Sequence, residues 1–404
     1  MKLAKVTTVY PRYAQRFYAT RPGLSERPYA EQKAALDLDG FGWGDFWSRA
    51  FNKRGWQALD LVAGIAPLDQ AWARERGLSD ASPLAVASDQ VRRFAPDLLW
   101  VDDYNTYTSA WIEELRQSCP SIRFVLGWCG APYADAGAFK AYDLVLSCVG
   151  ELVADFQAQG LSALRFDHAF EPDLLKRLGP LPARDLEFSF VGQVQRGRRF
   201  HEAREKLLEA LVAVSPLELY TPQGEAGFRG LWRHGSRSLA WGAVTALGGL
   251  GVDRQRMARW PLLGKAAAWD QAPLYPVNSK LAARRRGEVY GLEMIRILAR
   301  SKVTLNCHID LAAGSASNMR LFEASGAGAC LLTDAKGDLA RVFEAGKEVV
   351  TYASADEAAE RAAWLLAHPA AREVIAAAGQ ARTLRDHTFD RRAEALEGLL
   401  NERL

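Results

Sequence analysis

The sequence predicts an α/β protein built from two Rossmann-type domains, each with a parallel sheet. Short apolar segments such as Leu98–Val101 and Leu186–Val191 alternate with longer helical segments in both halves of the chain, which is typical of βαβ units. At 404 residues the chain is long enough for two ordinary domains. Residues 168–175 interrupt the alternation and form the predicted hinge between the two domains.

In the first half, apolar runs mark five strands and amphipathic segments mark the helices between them. Residues 12–56 are aromatic and irregular, so we predict a long binding loop directly after the first strand. The predicted strands are 2–10, 56–64, 98–101, 122–127 and 143–148, and the predicted helices are 68–76, 88–94, 109–117 and 151–159.

The second half repeats the pattern around a second predicted sheet, with one exception. Residues 223–272 are rich in Gly, Ala, Trp and Arg and do not alternate, so we predict an insertion of helical pieces. The predicted domain limits are 1–170, 171–385 and 386–404, with residues 223–275 as an insertion in the second domain. The predicted strands are 186–191, 217–221, 303–307, 329–332 and 349–352, and the predicted helices are 201–214, 355–367, 370–384 and 389–403.

The composition argues against several other classes of protein. A formal net charge of +3 is too small to indicate nucleic-acid binding. No run of about 18 apolar residues is present to span a membrane. The first residues lack the apolar core of a signal peptide, which disfavours a periplasmic binding protein. Five cysteines without Cys-x-x-Cys spacing indicate reduced thiols, so we expect a cytoplasmic protein.

Residues 317–334 have the composition of a phosphate and ribose site. Ser317 and Asn318 are favourable N-cap residues for a helix that begins directly after them. Arg320 and Glu323 are three residues apart and share one side of that helix. An arginine at a helix N-terminus suits a phosphate, and a carboxylate one turn later can accept hydrogen bonds from a ribose diol. The stretch therefore predicts a site for a nucleoside diphosphate.

The motif Asn-x-Arg-x-Phe-Glu-Ala, followed by a glycine-rich turn and a short apolar strand, resembles the donor site of GT-B glycosyltransferases. It is most similar to group-1 enzymes of the CgeB-like (spore maturation protein) branch, and the similarity extends over residues 290–392. The resemblance implies a GT-B fold whose last helix crosses back onto the first domain. It also implies a UDP-, GDP- or dTDP-sugar donor and retention of configuration, although Ser315 stands where retaining members often have a second glutamate.

Transfer from such a donor builds negative charge on the departing diphosphate, so the site needs fixed positive charge. Arg320 and His308 are the predicted catalytic groups of the second domain. The alternatives are an ion pair between Arg320 and Glu323 and a structural hydrogen bond of His308. The predicted nucleotide-sugar-binding residues are Gly192, His201, Arg204, Asn306, Asn318, Arg320 and Glu323.

The first domain is predicted to present the hydroxyl group of the acceptor. Asp45, in the aromatic stretch FGWGDFW, is the predicted general base if the reaction inverts configuration. Asp102 and Asp103 end a strand, where open α/β sheets bind ligands, and Tyr10 and Trp128 are candidates for stacking on sugar rings. Loop or helix capping is the alternative role for the three aspartates.

We predict no metal and no cofactor beyond the nucleotide sugar. Asp37 and Asp39 form a formal Asp-x-Asp match to the metal motif of another glycosyltransferase fold. Their position before a glycine-rich loop near the start of the chain indicates a chance match. No His and carboxylate cluster has the spacing of metal ligands.

Two further questions stay open at this stage. The insertion, with its Trp and Arg residues, is either a helical cover with solvated arginines or an interfacial element that docks on anionic lipid. The resemblance implies a glycan, glycolipid or protein acceptor in bacterial surface glycan synthesis. The alternatives are a nucleotide-sugar 2-epimerase, which needs no acceptor, and a non-catalytic nucleotide- or glycan-binding scaffold.

Overall fold

The computed structural model describes residues 1–180, 183–194, 202–222, 227–261, 263–269, 272–274 and 277–403. It contains a six-stranded and a five-stranded sheet, and all neighbouring strands within each sheet run parallel. The predicted α/β class with two Rossmann-type sheets is confirmed. The domain limits at residues 170 and 385 remain predictions.

The first sheet has the strand order β2-β1-β3-β4-β5-β6, so the chain reverses its direction of winding between β1 and β3. Such a reversal opens a crevice at the carboxyl ends of the two strands. The strands are β1 (Lys2–Thr7), β2 (Gln57–Val62), β3 (Leu98–Val101), β4 (Phe124–Trp128), β5 (Leu144–Ser147) and β6 (Ala163–Arg165). The helices are α1 (Pro11–Ala19), α2 (Tyr29–Asp39), α3 (Phe46–Lys53), α4 (Ala66–Arg76), α5 (Pro83–Phe94), α6 (Ser109–Ser118) and α7 (Gly150–Ala158).

The prediction of a long irregular loop at residues 12–56 is wrong, because this segment forms α1, α2 and α3. Pro11 occupies the first turn of α1, where its missing N–H costs nothing. Tyr13 and Phe17 lie four residues apart and bury one face of α1. Phe51 is fully buried on α3. Because aromatic residues also occur on the outer faces, the helical period is hard to recognise from the sequence.

The second sheet has the order β11-β10-β9-β7-β8, with the reversal between β7 and β9. The predicted helical insertion corresponds to α10–α12, whereas α14 was not predicted. The strands are β7 (Leu186–Val191), β8 (Leu217–Tyr220), β9 (Ser301–Asn306), β10 (Cys330–Asp334) and β11 (Val350–Tyr352). The helices are α8 (Asp173–Arg177), α9 (Glu202–Val214), α10 (Gly227–Gly249), α11 (Arg254–Met257), α12 (Gly264–Ala267), α13 (Ser279–Ala282), α14 (Gly291–Arg300), α15 (Arg320–Gly326), α16 (Ala355–Ala367), α17 (Pro369–Asp386) and α18 (Phe389–Asn401).

The chain passes between the two sheets twice, and the two crossings pair with each other. The N–H of Phe170 donates to the carbonyl of His387 at 2.8 Å, and the N–H of Phe389 donates to the carbonyl of Phe170 at 3.3 Å. The Phe170 ring packs on Gly326, where a Cβ would lie 2.4 Å from the ring. After the second crossing, α18 packs on α3 through contacts such as that of Phe389 with Trp47. The last helix therefore returns to the first sheet, as the resemblance implies.

The composition predicts reduced cysteines and no apolar run long enough to span a membrane. All five cysteines lie in described residues, are buried and form no disulfide. In the part of the chain that the structure describes, no helix has both the length and the apolar character needed to cross a bilayer.

We expect Gly326→Ala to lower the melting temperature by about 1–4 °C, because overpacking of this kind costs about 1–3 kcal/mol and the unfolding entropy of a long chain is large. The control is Gly398→Ala on α18, where an added Cβ has no described atom within 4 Å and alanine favours the helix. Thermal unfolding followed by circular dichroism measures both variants. Equal melting temperatures would contradict the packing of Phe170 on α15.

Candidate functional site

A cavity of about 330 Å³ lies at the carboxyl edge of the first sheet, at the ends of the neighbouring strands β1 and β3, where the winding reverses. The first domain contributes residues that follow β1 and β3 and the connection between α2 and α3. The second domain contributes α14 and the start of α15. The lining residues are Thr7, Thr8, Val9, Tyr10, Tyr13, Leu36, Asp37, Phe41, Gly42, Trp43, Gly44, Val62, Asp102, Asp103, Met294, Met319, Arg320 and Glu323.

A second cavity of about 190 Å³ adjoins the first and lies at the end of β7, beside the reversal point of the second sheet. Tyr10, Phe41, Met294 and Arg320 line both cavities. The first cavity is formed mainly by the first domain and the second mainly by the second domain. Together they form a continuous candidate site for a ligand with two parts.

Arg320 lines both cavities, and Glu323 lines the larger one beside it. The Arg320 Nη1 lies 2.8 Å from the Glu323 Oε2, and both side chains are largely buried. Arg320 also donates from Nε to the carbonyl of Val191, the last residue of β7, at 3.0 Å. The ion pair that the sequence offered as an alternative is thus present, and both members still line the first cavity.

The expected capping of this helix is wrong. The helix begins at Arg320, and its N-cap residue is Met319, which makes no side-chain cap hydrogen bond. Asn318 instead donates from Nδ2 to the Asn306 Oδ1 at 2.7 Å, and Asn306 donates to the Thr333 hydroxyl at 2.9 Å. These side-chain hydrogen bonds connect the ends of β9 and β10 to the segment before α15. In the described residues, the Oδ1 of Asn318 is buried without a hydrogen-bond partner.

Gly192 and Arg204 organise the loop after β7. Gly192 lines the second cavity, and a Cβ there would lie 3.0 Å from the Phe190 ring, which is a tight contact. Arg204 is buried and donates to the carbonyls of Gln193 at 3.0 Å and Cys307 at 2.7 Å. Arg204 is therefore occupied in holding two strand ends together and lines neither cavity. The remaining predicted residue of this group, His201, lies outside the described residues, as does the basic turn before it.

His308 is buried beside Asp334 and is held in a defined orientation. Its Nδ1 lies 2.6 Å from the Asp334 Oδ1, and its backbone N–H donates to the same oxygen at 3.2 Å. Burial raises the pKa of Asp334, but the hydrogen bond from His308 and the charge of Lys336 outweigh this effect and hold the pKa below its ordinary value. The Nε2 of His308 is buried without a partner among the described residues.

The adjacent Cys307 does not form a nucleophilic pair with His308. Its thiol contacts the carbonyl of His308 at 3.5 Å rather than the imidazole. Burial raises the pKa of this thiol to about 11, so it is neutral at physiological pH. Neighbouring side chains at a strand end face opposite ways, which keeps the Cys307 thiol away from the His308 imidazole.

On the first-domain side, the predicted acceptor residues Tyr10, Asp102 and Asp103 line the cavity. Asp102 forms a buried ion pair with Lys5, whose ammonium lies 4.0 Å from the ring centroid of Trp43. Burial raises the pKa of Asp102, against the opposing effect of Lys5. Asp103 accepts hydrogen bonds from the hydroxyl groups of Thr8 and Thr106, at 2.8 Å and 2.7 Å, and so holds the turn after β3.

Two predicted residues lie elsewhere. Asp45 precedes α3 and faces the guanidinium groups of Arg49 and Arg177, each at 3.8 Å, and it does not line the cavity. Trp128 is buried against Trp43 and His168, with ring centroids at 5.4 Å and 5.0 Å. Residues 41–44 line the cavity, whereas the next residue, Asp45, turns to the two arginines. Trp43 is the ring that lines the cavity, and Trp128 packs against it.

Asp37 is the residue that sequence analysis missed. It projects from α2 into the cavity lining, and both of its oxygens lie near Lys33 Nζ, at 2.6 Å and 2.7 Å. Burial raises the pKa of Asp37 to about 6, although Lys33 opposes the shift. The Asp-x-Asp pattern includes this position, but only the packing of α2 on α4 turns it toward the site. In the described residues, no group of three or more His, Cys, Asp or Glu side chains is arranged to hold a metal ion.

Polar contacts bring the two domains together on both sides of the site. Arg16 on α1 donates to the carbonyl of Glu288 at 2.7 Å and to the carboxylate of Glu293 at 2.8 Å. On the other side, Ser315 donates to the Glu151 carboxylate at 2.5 Å and accepts from Arg165 at 2.9 Å. Ser315, which replaces the expected second glutamate, therefore binds a glutamate from the first domain.

Comparisons with known proteins agree with this architecture. Residues 245–398, which include Arg320 and Glu323, match a family model described as glycosyl transferase-like. Among solved structures, Anabaena Alr3699/HepE in complex with UDP and glucose has a TM-score of 0.55 at 11% identity over 100% of both chains. Sucrose-phosphate synthase from Thermosynechococcus elongatus has a TM-score of 0.52 at 11% identity, covering 99% of this chain and 98% of that one.

AviGT4, a glycosyltransferase involved in avilamycin A biosynthesis, has a TM-score of 0.51 at 13% identity, covering 98% of this chain and 96% of that one. The fold is that of GT-B glycosyltransferases. The TM-scores establish the GT-B fold. Because the sequence identities are low, the reaction has to be argued from the site. Among curated protein sequences, none matches the chain significantly.

Proposed function

We propose that this GT-B protein is a glycosyltransferase that moves a sugar from a nucleotide-diphosphate sugar to a hydroxyl group of an acceptor. The observation that carries the proposal is the pair of adjoining cavities, with Arg320 lining both and its ion-pair partner Glu323 lining the larger one. The smaller cavity suits the base of the nucleotide, and the larger one, which Glu323 lines, suits the ribose and the two reacting groups. The glycosyl transferase-like match over residues 245–398 and the UDP-bound state of HepE support this assignment.

In the proposed donor complex, Glu323 accepts hydrogen bonds from the ribose and Arg320 turns toward the diphosphate. Arg320 supplies fixed positive charge in a site that is largely shielded from water, where such charge stabilises a leaving diphosphate most strongly. The Nε2 of His308 and the Oδ1 of Asn318 have no hydrogen-bond partner among the described residues and are suited to bond the donor, although neither residue lines a cavity in this structure. His201 and Gly192 keep their predicted place at the diphosphate, and Arg204 and Asn306 act by holding the strand ends.

We place the acceptor in the larger cavity, against Tyr10, Trp43 and the carboxylates of Asp37 and Asp103. The acceptor class that we propose is a glycan, glycolipid or protein in bacterial surface glycan synthesis, and the location is the cytoplasm. We also propose membership of the CgeB-like branch, because the motif at Arg320 and Glu323 resembles that branch most. Stacking of a sugar on Tyr10 or Trp43 is consistent with the exposure of Tyr10, which is 55% accessible.

We propose transfer with retention of configuration and without a metal ion. In such a reaction the leaving diphosphate takes the proton of the acceptor, and Asp37 positions the hydroxyl by a hydrogen bond. If configuration is inverted, Asp37 becomes the general base in place of Asp45. The alternatives are a nucleotide-sugar 2-epimerase and a non-catalytic scaffold. The epimerase is less well supported, because the carboxylates of the larger cavity lie mainly on the acceptor side.

The donor site is tested by thermal unfolding with UDP, GDP, dTDP, CMP and ADP. We expect one nucleoside diphosphate at 100 times its Kd to stabilise the chain by about 2.7 kcal/mol, and Glu323→Ala to abolish the effect. The control is Glu357→Ala, which removes a glutamate of α16 that pairs with Arg361 away from the cavities. If no nucleotide stabilises the wild type, the transferase proposal fails and a scaffold becomes the better explanation.

Stereochemistry and the role of Asp37 are tested with methanol as a simple acceptor. With UDP-glucose as donor, we expect methyl α-glucoside, identified by NMR. We expect Asp37→Asn to lower kcat/KM for methanol by about tenfold, because a hydrogen bond to a charged group is lost. The wild-type kcat/KM rises as pH passes about 6, where Asp37 ionises, and the variant profile stays flat. Asp45→Asn is the control and behaves as wild type. Methyl β-glucoside together with a loss of 100-fold or more in kcat would show inversion with Asp37 as base.

Independence from metal ions is tested by removing them. We expect the initial rate of UDP-glucose turnover to stay within about twofold after treatment with EDTA, since protein cations neutralise the diphosphate. A rate that EDTA abolishes and Mg²⁺ or Mn²⁺ restores would refute this part of the proposal.

A further inference from the structure

The helix α10 carries two apolar faces, and only one of them is covered. On the inner face, Val244 is buried and packs with Met257, Ala266 and Ala267 in a small core of its own. On the other side, four large apolar residues remain between 59% and 83% exposed. They are Phe228, Leu231, Trp232 and Leu239, and we refer to them as the exposed stripe.

The spacing places the four residues of the stripe on one side of the helix, with Gly235 and Ser236 between Trp232 and Leu239. The members of the stripe lie at positions i, i+3, i+4 and i+11 of a single helix, and residues at these intervals share one side. Scattered apolar side chains on a protein surface need no explanation, but an aligned row of this length on one helix does. Trp260, in the turn after α11, is a further exposed tryptophan of the same insertion.

The charge of the insertion distinguishes its possible partners. Residues 227–269 contain seven arginines and lysines and one acidic residue, a net charge of +6. The whole chain has a net charge of +3, so the remaining residues together carry −3. A second copy of the chain would bring two such basic regions together, which like-charge repulsion disfavours. An anionic bilayer attracts the arginines and lysines and accepts the Trp, Phe and Leu side chains at the same surface.

We propose that the exposed stripe of α10 docks on an anionic lipid surface, with the basic residues of the insertion at the headgroups. Arg256 and Arg259 are exposed beside Trp260 and are suited to headgroup contact. Arg237 and Arg254 instead lie over the rings of Trp269 and Trp241, at 4.8 Å and 4.9 Å, and brace the insertion internally. This surface is separate from the nucleotide site and does not depend on its function.

The test is flotation of the full chain with vesicles. We expect binding to vesicles of equal parts phosphatidylglycerol and phosphatidylcholine, no binding to phosphatidylcholine alone, and weaker binding as salt is raised. The double variant Phe228→Ser/Trp232→Ser should reduce the partition coefficient by about tenfold or more. The control is Trp364→Ser on α16, a tryptophan that is 46% exposed outside the insertion, and it should bind as wild type.

A second double variant tests how much the basic residues contribute to vesicle binding. Arg256→Gln/Arg259→Gln should weaken binding by about 30-fold, because each of the two basic residues near the surface contributes about 1 kcal/mol. Arg361→Gln/Arg391→Gln, on α16 and α18, changes the charge equally elsewhere and should have little effect. Circular dichroism confirms that each variant is folded, and stabilisation by UDP without vesicles reports separately on the nucleotide site.

Three outcomes would overturn the proposal. One is equal binding to both kinds of vesicle, and another is binding that the stripe variants leave unchanged. The third comes from light scattering in solution. If Phe228→Ser/Trp232→Ser turns a dimer into a monomer without altering flotation, the stripe is an interface between copies of the chain.

Discussion

The pairing of the two interdomain crossings is the constraint on which the rest of the structure depends. One strand-like contact joins Phe170 to the segment at Thr388, and the Phe170 ring occupies the space that Gly326 leaves open. Because Gly326 ends α15, the same contact that joins the domains also sets the far end of the helix that carries Arg320 and Glu323. The geometry of the cleft and the geometry of the donor motif are therefore set by one junction.

From that junction, the position of the site follows from topology. Each sheet reverses its winding once, between β1 and β3 and between β7 and β9, and each reversal opens toward the other domain. Side chains from both reversals meet at Tyr10 and Arg320. Arg204, Asn306 and Asn318 connect strand ends in the second domain, whereas Ser315 with Glu151 and Arg16 with Glu293 connect the domains. A ligand in the cleft thus contacts residues whose supports come from both domains.

The strand limits and the donor motif could be predicted from the sequence, because a single local pattern marks each of them. The limits of β3 and β7 follow directly from apolar runs, and the motif at Arg320 and Glu323 does line the cavity. Prediction failed where a side chain's role depends on distant packing. Asp45 and Asp37 lie in the same part of the sequence, yet only the packing of α2 on α4 places Asp37 in the cavity. The aromatic content of residues 12–56 concealed three helices, since local pattern does not show which rings are buried.

The ion pair between Arg320 and Glu323 has a consequence for how strongly any nucleotide is held. These two largely buried charges neutralise each other, so neither is left unpaired. A ligand that engages both must first separate them, and its binding is an exchange of partners rather than a simple gain of contacts. The affinity therefore reports the difference between two sets of charge interactions. This arrangement favours ligands that satisfy both residues together and discriminates against those that engage only one.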